Sequence, residues 1–118
     1  MKIRITLALI IFFALQACNN DYLEVRNKEV TKGDIKISVE GKRTTPLGAW
    51  RVTINVRAYG YDNGELFFDL YAKDINDKTL LFEWEDDHNC HIQFIQQDDS
   101  RKNFRLSATE HKVILAEE

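Results

Sequence analysis

Residues 50–58 read Trp-Arg-Val-Thr-Ile-Asn-Val-Arg-Ala, and every second residue in this stretch is apolar. Successive side chains of a β-strand point to opposite faces of its sheet, so a two-residue period places the apolar set on one face and the polar set on the other. An α-helix would need a period near 3.6, which this stretch does not keep. The stretch therefore predicts a strand with one buried and one exposed face.

The same two-residue period recurs on both sides of this strand. The further alternating sets lie within residues 35–39, 66–72, 80–84, 90–94, 104–106 and 113–115. Turn-forming residues separate them, and Asp62-Asn63-Gly64 is predicted to close a tight hairpin. Seven or eight short strands joined mostly by hairpins predict an all-β fold: an antiparallel β-sandwich of immunoglobulin-like type, with a small antiparallel β-barrel as the alternative.

Length and composition limit the chain to one small globular domain. It has 118 residues, 44% of them hydrophobic and 30% charged, and a formal net charge of −3. One domain fits in this length, and a multidomain enzyme does not. Because the balance of charge is acidic, we expect no nucleic acid among the partners.

The first 17 residues have the features of a secretory signal. Lys2 and Arg4 precede an almost unbroken apolar run over residues 5–14. This run is shorter than the roughly 20 residues of a membrane-spanning helix. It is followed by Leu15-Gln16-Ala17-Cys18, which resembles the lipobox of bacterial lipoproteins, although that family usually has a small or β-branched residue in place of the glutamine.

The resemblance covers about the first twenty residues and implies lipid attachment at Cys18. The signal would be cleaved before this cysteine, which would then carry a thioether-linked diacylglyceryl group and an N-acyl chain such as palmitate. Two or more acyl chains are enough for stable anchoring in a membrane. In the family, an asparagine such as Asn19 after the lipidated cysteine is compatible with sorting to the outer membrane. We therefore expect a bacterial cell-envelope protein that is anchored by lipid. The sequence does not indicate whether it faces the periplasm or the cell surface.

Three segments follow from this interpretation. Residues 1–17 are the signal peptide, residues 18–33 are the lipidated N-terminus, and residues 34–118 are the sandwich domain. The middle segment is either a short tether or an edge strand that carries Leu23, Val25 and Val30. Loss of the leader removes two of the 16 basic residues and none of the 19 acidic ones, so the mature chain has a net charge of −5.

His88, Cys90 and His91 form the densest group of possible metal ligands in the sequence. In a strand, Cys90 and His91 point to opposite faces, so both could bind one ion only at a bulge. We therefore predict that Cys90 is a buried hydrophobic residue beside Ile92 and Phe94, and we predict no metal, no cofactor and no catalytic residue. The sequence contains no nucleophile elbow, zinc-peptidase helix, phosphate loop or dinucleotide motif. A metal-binding or hydrolytic protein that uses these histidines is the less favoured alternative.

An excess of aromatic residues lies outside the predicted core. Phe67, Asp69 and Tyr71 alternate with apolar residues, and Tyr59 and Tyr61 are close to the same hairpin. Exposed aromatic side chains beside charged ones are typical of sites that bind a protein, peptide or glycan. The alternative is a strand that is buried on both faces.

We therefore expect a small lipid-anchored envelope protein that acts as a non-catalytic binding or scaffolding module. A periplasmic inhibitor or immunity-type protein is an alternative role of the same kind. The sequence does not name the partner.

Overall fold

The alternating stretches form eight antiparallel β-strands in a computed structural model, which describes residues 24–118 except for the side chains of residues 61–63. The strands are β1 (Glu24–Lys32), β2 (Ile35–Arg43), β3 (Trp50–Ala58), β4 (Tyr61–Leu70), β5 (Leu80–Trp84), β6 (Asn89–Ile95), β7 (Arg101–Ala108) and β8 (Val113–Glu117). They make two four-stranded sheets, in the orders β1-β2-β3-β4 and β5-β6-β7-β8. The prediction of an all-β antiparallel sandwich is confirmed, and the sheets do not close into a barrel.

Each sheet is a meander, in which every strand pairs with the strand that follows it in sequence. Immunoglobulin domains connect their two sheets by Greek keys. The likeness to that class is therefore one of architecture and strand number, and the connectivity is different. Of the two alternatives for residues 18–33, the strand is present over Glu24–Lys32. Cys18, the lipobox and Leu23 lie outside the described residues.

The core lies between the inner faces of the two sheets. The inner residues of β3 are all buried: Trp50, Val52, Ile54, Val56 and Ala58. Phe68 of one sheet packs against Phe94 and Phe104 of the other, with ring centroids 5.2 and 4.5 Å away. Burying a side chain of this size contributes about 1.5–3 kcal/mol, so burial on both inner faces is enough to hold the sheets together.

Charged residues cover the core along β1, an edge strand. Alternate β1 side chains face inward, and three of them are basic. Arg26 Nε lies 2.9 Å from Asp74 Oδ1, and Lys28 Nζ lies 2.7 Å from Asp77 Oδ1. Lys32 Nζ lies 5.2 Å from the ring centroid of Trp84. These contacts connect β1, at the edge of the first sheet, to β5 of the second sheet and to the loop between β4 and β5.

Trp50 closes one end of the core. Its indole Nε1 donates a hydrogen bond to the carbonyl oxygen of Ala72 at 3.0 Å. The Arg43 guanidinium lies 4.2 Å from the centroid of the indole ring, and its Nη2 lies 2.9 Å from Glu24 Oε1. A buried cation is tolerated there because an aromatic face and a carboxylate both compensate its charge.

The turn between β3 and β4 differs from the sequence prediction. Tyr59 and Gly60 form a two-residue turn with φ angles of 54° and 84°, and Ala58 is opposite Tyr61. Positive φ at both central residues is the feature of a type I′ hairpin turn. The predicted turn at residues 62–64 is wrong, because this segment is already part of β4. Gly64, with φ of 149°, lies where the β3–β4 register shifts, and it serves a bulge instead of the turn.

Candidate functional site

Phe67 and Asp69 lie on the outer side of β4, and Tyr71 directly follows the last residue of this strand; we call these three residues the β4 patch. The alternate residues Leu66, Phe68 and Leu70 face the core, so the strand period turns the patch away from it. Phe67 is 69% exposed and Tyr71 is 57% exposed. Two large aromatic side chains, each two residues from Asp69, are therefore exposed and accessible to a partner.

The structure does not bring Tyr59 to this patch. Thr53 is the residue opposite Phe67. Tyr59 lies six residues further along the chain, in the turn just beyond β3, which corresponds to about 20 Å at 3.3 Å per residue. The Tyr59 hydroxyl instead lies 3.2 Å from Nδ1 of His88, in the β5–β6 loop. Tyr61 begins β4, and its side chain is outside the described part. Of the five residues predicted for partner binding, three therefore form one surface.

A shallow depression adjoins the patch on the outer face of the first sheet. It has a volume of about 490 Å³, and Arg51, Thr53, Phe67 and Asp69 are among its lining residues. A second depression of about 610 Å³ adjoins it and extends to β1. Phe67 stands at the β4 side of this surface, beside the polar and charged side chains of Arg51, Thr53 and Asp69. An exposed aromatic residue beside polar and charged ones suits a binding surface.

The candidate metal ligands are separated. Cys90 is 1% exposed and lies in the core with Ile92 and Phe94, as the sequence predicted. Burial raises the pKa of the Cys90 thiol to about 11, so the thiolate that binds metals is disfavoured. His88 is in the loop, and His91 is on the outer face of the second sheet. No group of three His, Cys, Asp or Glu residues within the described range could hold a metal ion.

A charged cluster that the sequence analysis missed surrounds His91. Its Nε2 lies 2.5 Å from Glu85 Oε1, and its Nδ1 lies 3.5 Å from Glu118 Oε1. Arg105 contacts both carboxylates at 2.8 Å, and the hydrogen bond to Glu118, followed by the charge of Glu85, raises the pKa of Arg105. Cross-strand register could have indicated it, because His91 is opposite Arg105 in β7. Arg105 therefore holds both carboxylates beside His91, and the cluster connects β6 and β7 to the residues that follow β5 and β8.

The β5–β6 loop is held by one carboxylate. Asp86 Oδ1 accepts hydrogen bonds from the backbone N–H groups of His88 and Asn89, both at 2.8 Å. The bond from His88, followed by that from the Asn89 side chain, lowers the pKa of Asp86 below its ordinary value of 3.8. The predicted turn at residues 86–89 is present, and its histidine is held close to Tyr59.

Comparison of the chain with known protein families, with curated proteins and with solved structures finds no match. Within the described residues, no helix is long and apolar enough to cross a membrane. The assignment of a function therefore depends on the chain's own residues.

Proposed function

We propose that this chain is a lipid-anchored protein of the bacterial envelope that acts as a non-catalytic binding module. Its lipid is attached at Cys18, and its partner is bound on the outer side of β4. The lipobox-like sequence supports the first part. The exposure of Phe67 supports the second part and is the observation that carries the proposal.

The anchor keeps the module close to the membrane. We place it on the outer membrane because Asn19, the residue after the cysteine, is compatible with sorting there. Only residues 19–23 separate Cys18 from β1. Even a fully extended chain spans at most about 3.3–3.6 Å per residue, so the strand begins within about 20 Å of the lipidated residue. A partner would therefore be met at the membrane surface.

Exposure of Phe67 and Tyr71 favours binding over a purely structural role. A buried aromatic residue stabilises its own fold, whereas an exposed one of this size gains its burial only when a partner covers it. Aromatic residues near the centre of an interface often carry a large share of the binding energy. Asp69 lies between the two and supplies the charged position that orients a partner.

Variants of the β4 patch test this proposal. The full chain, extracted from membranes in detergent, would capture partners from envelope extracts, with quantitative mass spectrometry as the readout. We expect Phe67→Ala and Tyr71→Ala to lower the recovery of the same partner about tenfold or more, as for hot-spot residues, with an unchanged unfolding midpoint.

Leu47→Ala is the matched control, because Leu47 is a large apolar residue that is 98% exposed in the β2–β3 connection, away from the patch. It should leave the recovery unchanged. Equal recovery by all four proteins would contradict the proposal.

A further inference from the structure

The backbone of β4 has a free edge between Glu65 and Leu70 among the described residues. In the first sheet β4 pairs only with β3 there, and its other side forms no ladder with a further strand among the described residues, although β8 of the second sheet lies close to it. The carbonyl oxygen of Asp69 accepts a hydrogen bond from Lys102 Nζ of the second sheet, at a long 3.5 Å, and therefore points away from β3. The N–H of Tyr71, two residues on, points the same way and reaches Gln96 Oε1 at 3.2 Å.

This direction identifies the groups at the free edge. In an antiparallel ladder, the N–H and C=O of one residue point to the same side, and the side alternates along the strand. Glu65 and Phe67 therefore present their backbone groups outward together with Asp69. These same three residues carry their side chains on the outer face, in the order acidic, aromatic, acidic. The bulge at Gly64 precedes this stretch and leaves its six residues regular.

The two edges of the first sheet differ in their protection. Inward-pointing charged residues on an edge strand oppose the addition of another strand, and β1 has Arg26 and Lys28 in such positions. The inward residues of β4 are apolar, and Leu66 and Phe68 are only partly buried. Among its described side chains, β4 therefore has no inward-pointing charge of its own of the kind that protects β1, and the cation at its edge is Lys102 of β7, whose Nζ lies 5.4 Å from the centroid of the Phe68 ring.

Charge decides between the possible occupants. Three acidic residues and no basic ones lie in β4. Antiparallel pairing of β4 with β4 of a second copy, centred on Phe67, would place Glu65 opposite Asp69, and like charges directly opposite each other destabilise a pair of strands. A strand with basic residues at these positions would instead be attracted.

We propose that β4 accepts an extended peptide segment of its partner as a fifth strand of the first sheet. The segment has Lys or Arg opposite Glu65 and Asp69, an aromatic or β-branched residue opposite Phe67, and apolar residues at the two intervening positions, which face Leu66 and Phe68. Backbone hydrogen bonds supply affinity, and the alternate side chains supply specificity. This inference rests on the proposed binding function and names the chemistry of its partner.

Synthetic peptides test it directly. The first has the core Lys-Val-Phe-Val-Lys with short Gly and Ser flanks, and the second replaces both lysines by glutamates. The third is identical to the first but is N-methylated at the central Phe, which removes the hydrogen-bond donor that would pair with Phe67. Binding to the full chain in detergent would be measured by calorimetry.

We expect the first peptide to bind, and each of the other two to bind about tenfold more weakly or not at all, because like charges or a missing backbone bond remove at least one favourable contact. Added salt should weaken the first peptide. Absence of binding by the first peptide, or equal binding of all three, would overturn the proposal.

A pair of protein variants gives a second readout. Proline on an edge strand is tolerated where its missing N–H would face outward. Asp69→Pro removes the charge and the edge donor, whereas Asp69→Asn removes the charge alone. We expect the proline variant to lose about tenfold more affinity for the first peptide than the asparagine variant, at matched unfolding midpoints.

Equal affinities of the two variants would contradict strand addition. If Phe67→Ala still lowered capture of the natural partner in that case, the binding module would remain and only its mode of recognition would be refuted. A third outcome is self-association of the wild-type chain. If Asp69→Pro abolished it, a second copy would be the occupant of the β4 edge, and the proposal of a basic peptide partner would be overturned.

Discussion

Gly41 is a residue at which an added side chain would force the Ile75 side chain to move. It lies on the inner face of β2, and a Cβ atom there would collide with Cδ1 of Ile75 and would lie 3.4 Å from Cε3 of Trp50. Ile75 comes from the connection between the two sheets, so its approach to Gly41 could not be read from local sequence. The burial of Cys90 and Phe94 could be predicted from local sequence, because it follows from the strand period alone.

Gly41→Ala is therefore expected to destabilise the fold by about 1–3 kcal/mol, as an overpacked core position does. The measurement is the free energy of unfolding in urea. The double variant Gly41→Ala with Ile75→Val is the control, and it should recover part of the loss because it removes the atom in collision. An unchanged stability of Gly41→Ala would contradict the packing described here.

Asp86 is the residue whose ionisation matters for the β5–β6 loop. Its pKa in the folded state is lowered, so the ionised carboxylate stabilises the fold above the ordinary pKa of 3.8, and this contribution is lost as the pH falls through the folded-state pKa. We expect Asp86→Ala to unfold at a lower temperature than wild type at pH 7, and the difference to shrink below pH 3.8.

Asp87→Ala is the control in the same loop, because the Asp87 side chain is mostly exposed and its carboxylate lies a long 3.9 Å from Lys32 Nζ. It should change the unfolding temperature less at pH 7. A difference between wild type and Asp86→Ala that stays constant from pH 7 to pH 3 would show that the carboxylate charge does not hold the loop.

At the scale of elements, the sequence predicted the strands better than their connections. The alternating stretches became β2 to β8 because burial on one face is a local property of each strand. The β3–β4 turn was misplaced because two glycines, Gly60 and Gly64, are both available, and the choice depends on which register buries Leu66 and Phe68. Packing against the other sheet decides between the two registers, and a local sequence pattern does not predict that packing.

The inward direction of Arg26 and Lys28 was not predicted, because the sequence indicated only that this segment is either a tether or an edge strand. They face inward because residues directly opposite each other share a face, and Lys28 is opposite the buried Val39. Their charges reach Asp74 and Asp77 beside the second sheet. An edge strand can place charges inward where the core ends.

Lys28→Val should therefore remove the central one of the three inward-pointing basic residues of β1 and weaken the protection of this edge. We expect concentration-dependent association of the variant, measured by sedimentation velocity, with little loss of stability because the contact to Asp77 is exposed. Thr31→Val adds an apolar side chain to the opposite face of the same strand and should remain unassociated. Equal behaviour of the two variants would show that the inward charge does not protect this edge.

At the scale of the whole molecule, two consecutive meanders place β1 and β4 at opposite edges of the first sheet, one protected by charge and the other carrying the β4 patch. The sequence predicted the two-layer architecture, because one buried face per strand requires a second layer to cover it. The three residues of the β4 patch, Phe67, Asp69 and Tyr71, were among the five that it predicted for partner binding. It could not exclude Tyr59, since the distance between Tyr59 and Phe67 depends on the true position of the turn.

We propose that this sandwich is attached to a membrane through the sulfur of Cys18. The most direct test is the intact mass of the chain extracted from bacterial membranes. We predict a mass that lacks residues 1–17 and includes a diacylglyceryl group and an N-acyl chain, and we predict that Cys18→Ser abolishes both changes. A full-length unmodified chain, or a cleaved chain with a free thiol at Cys18, would contradict the account.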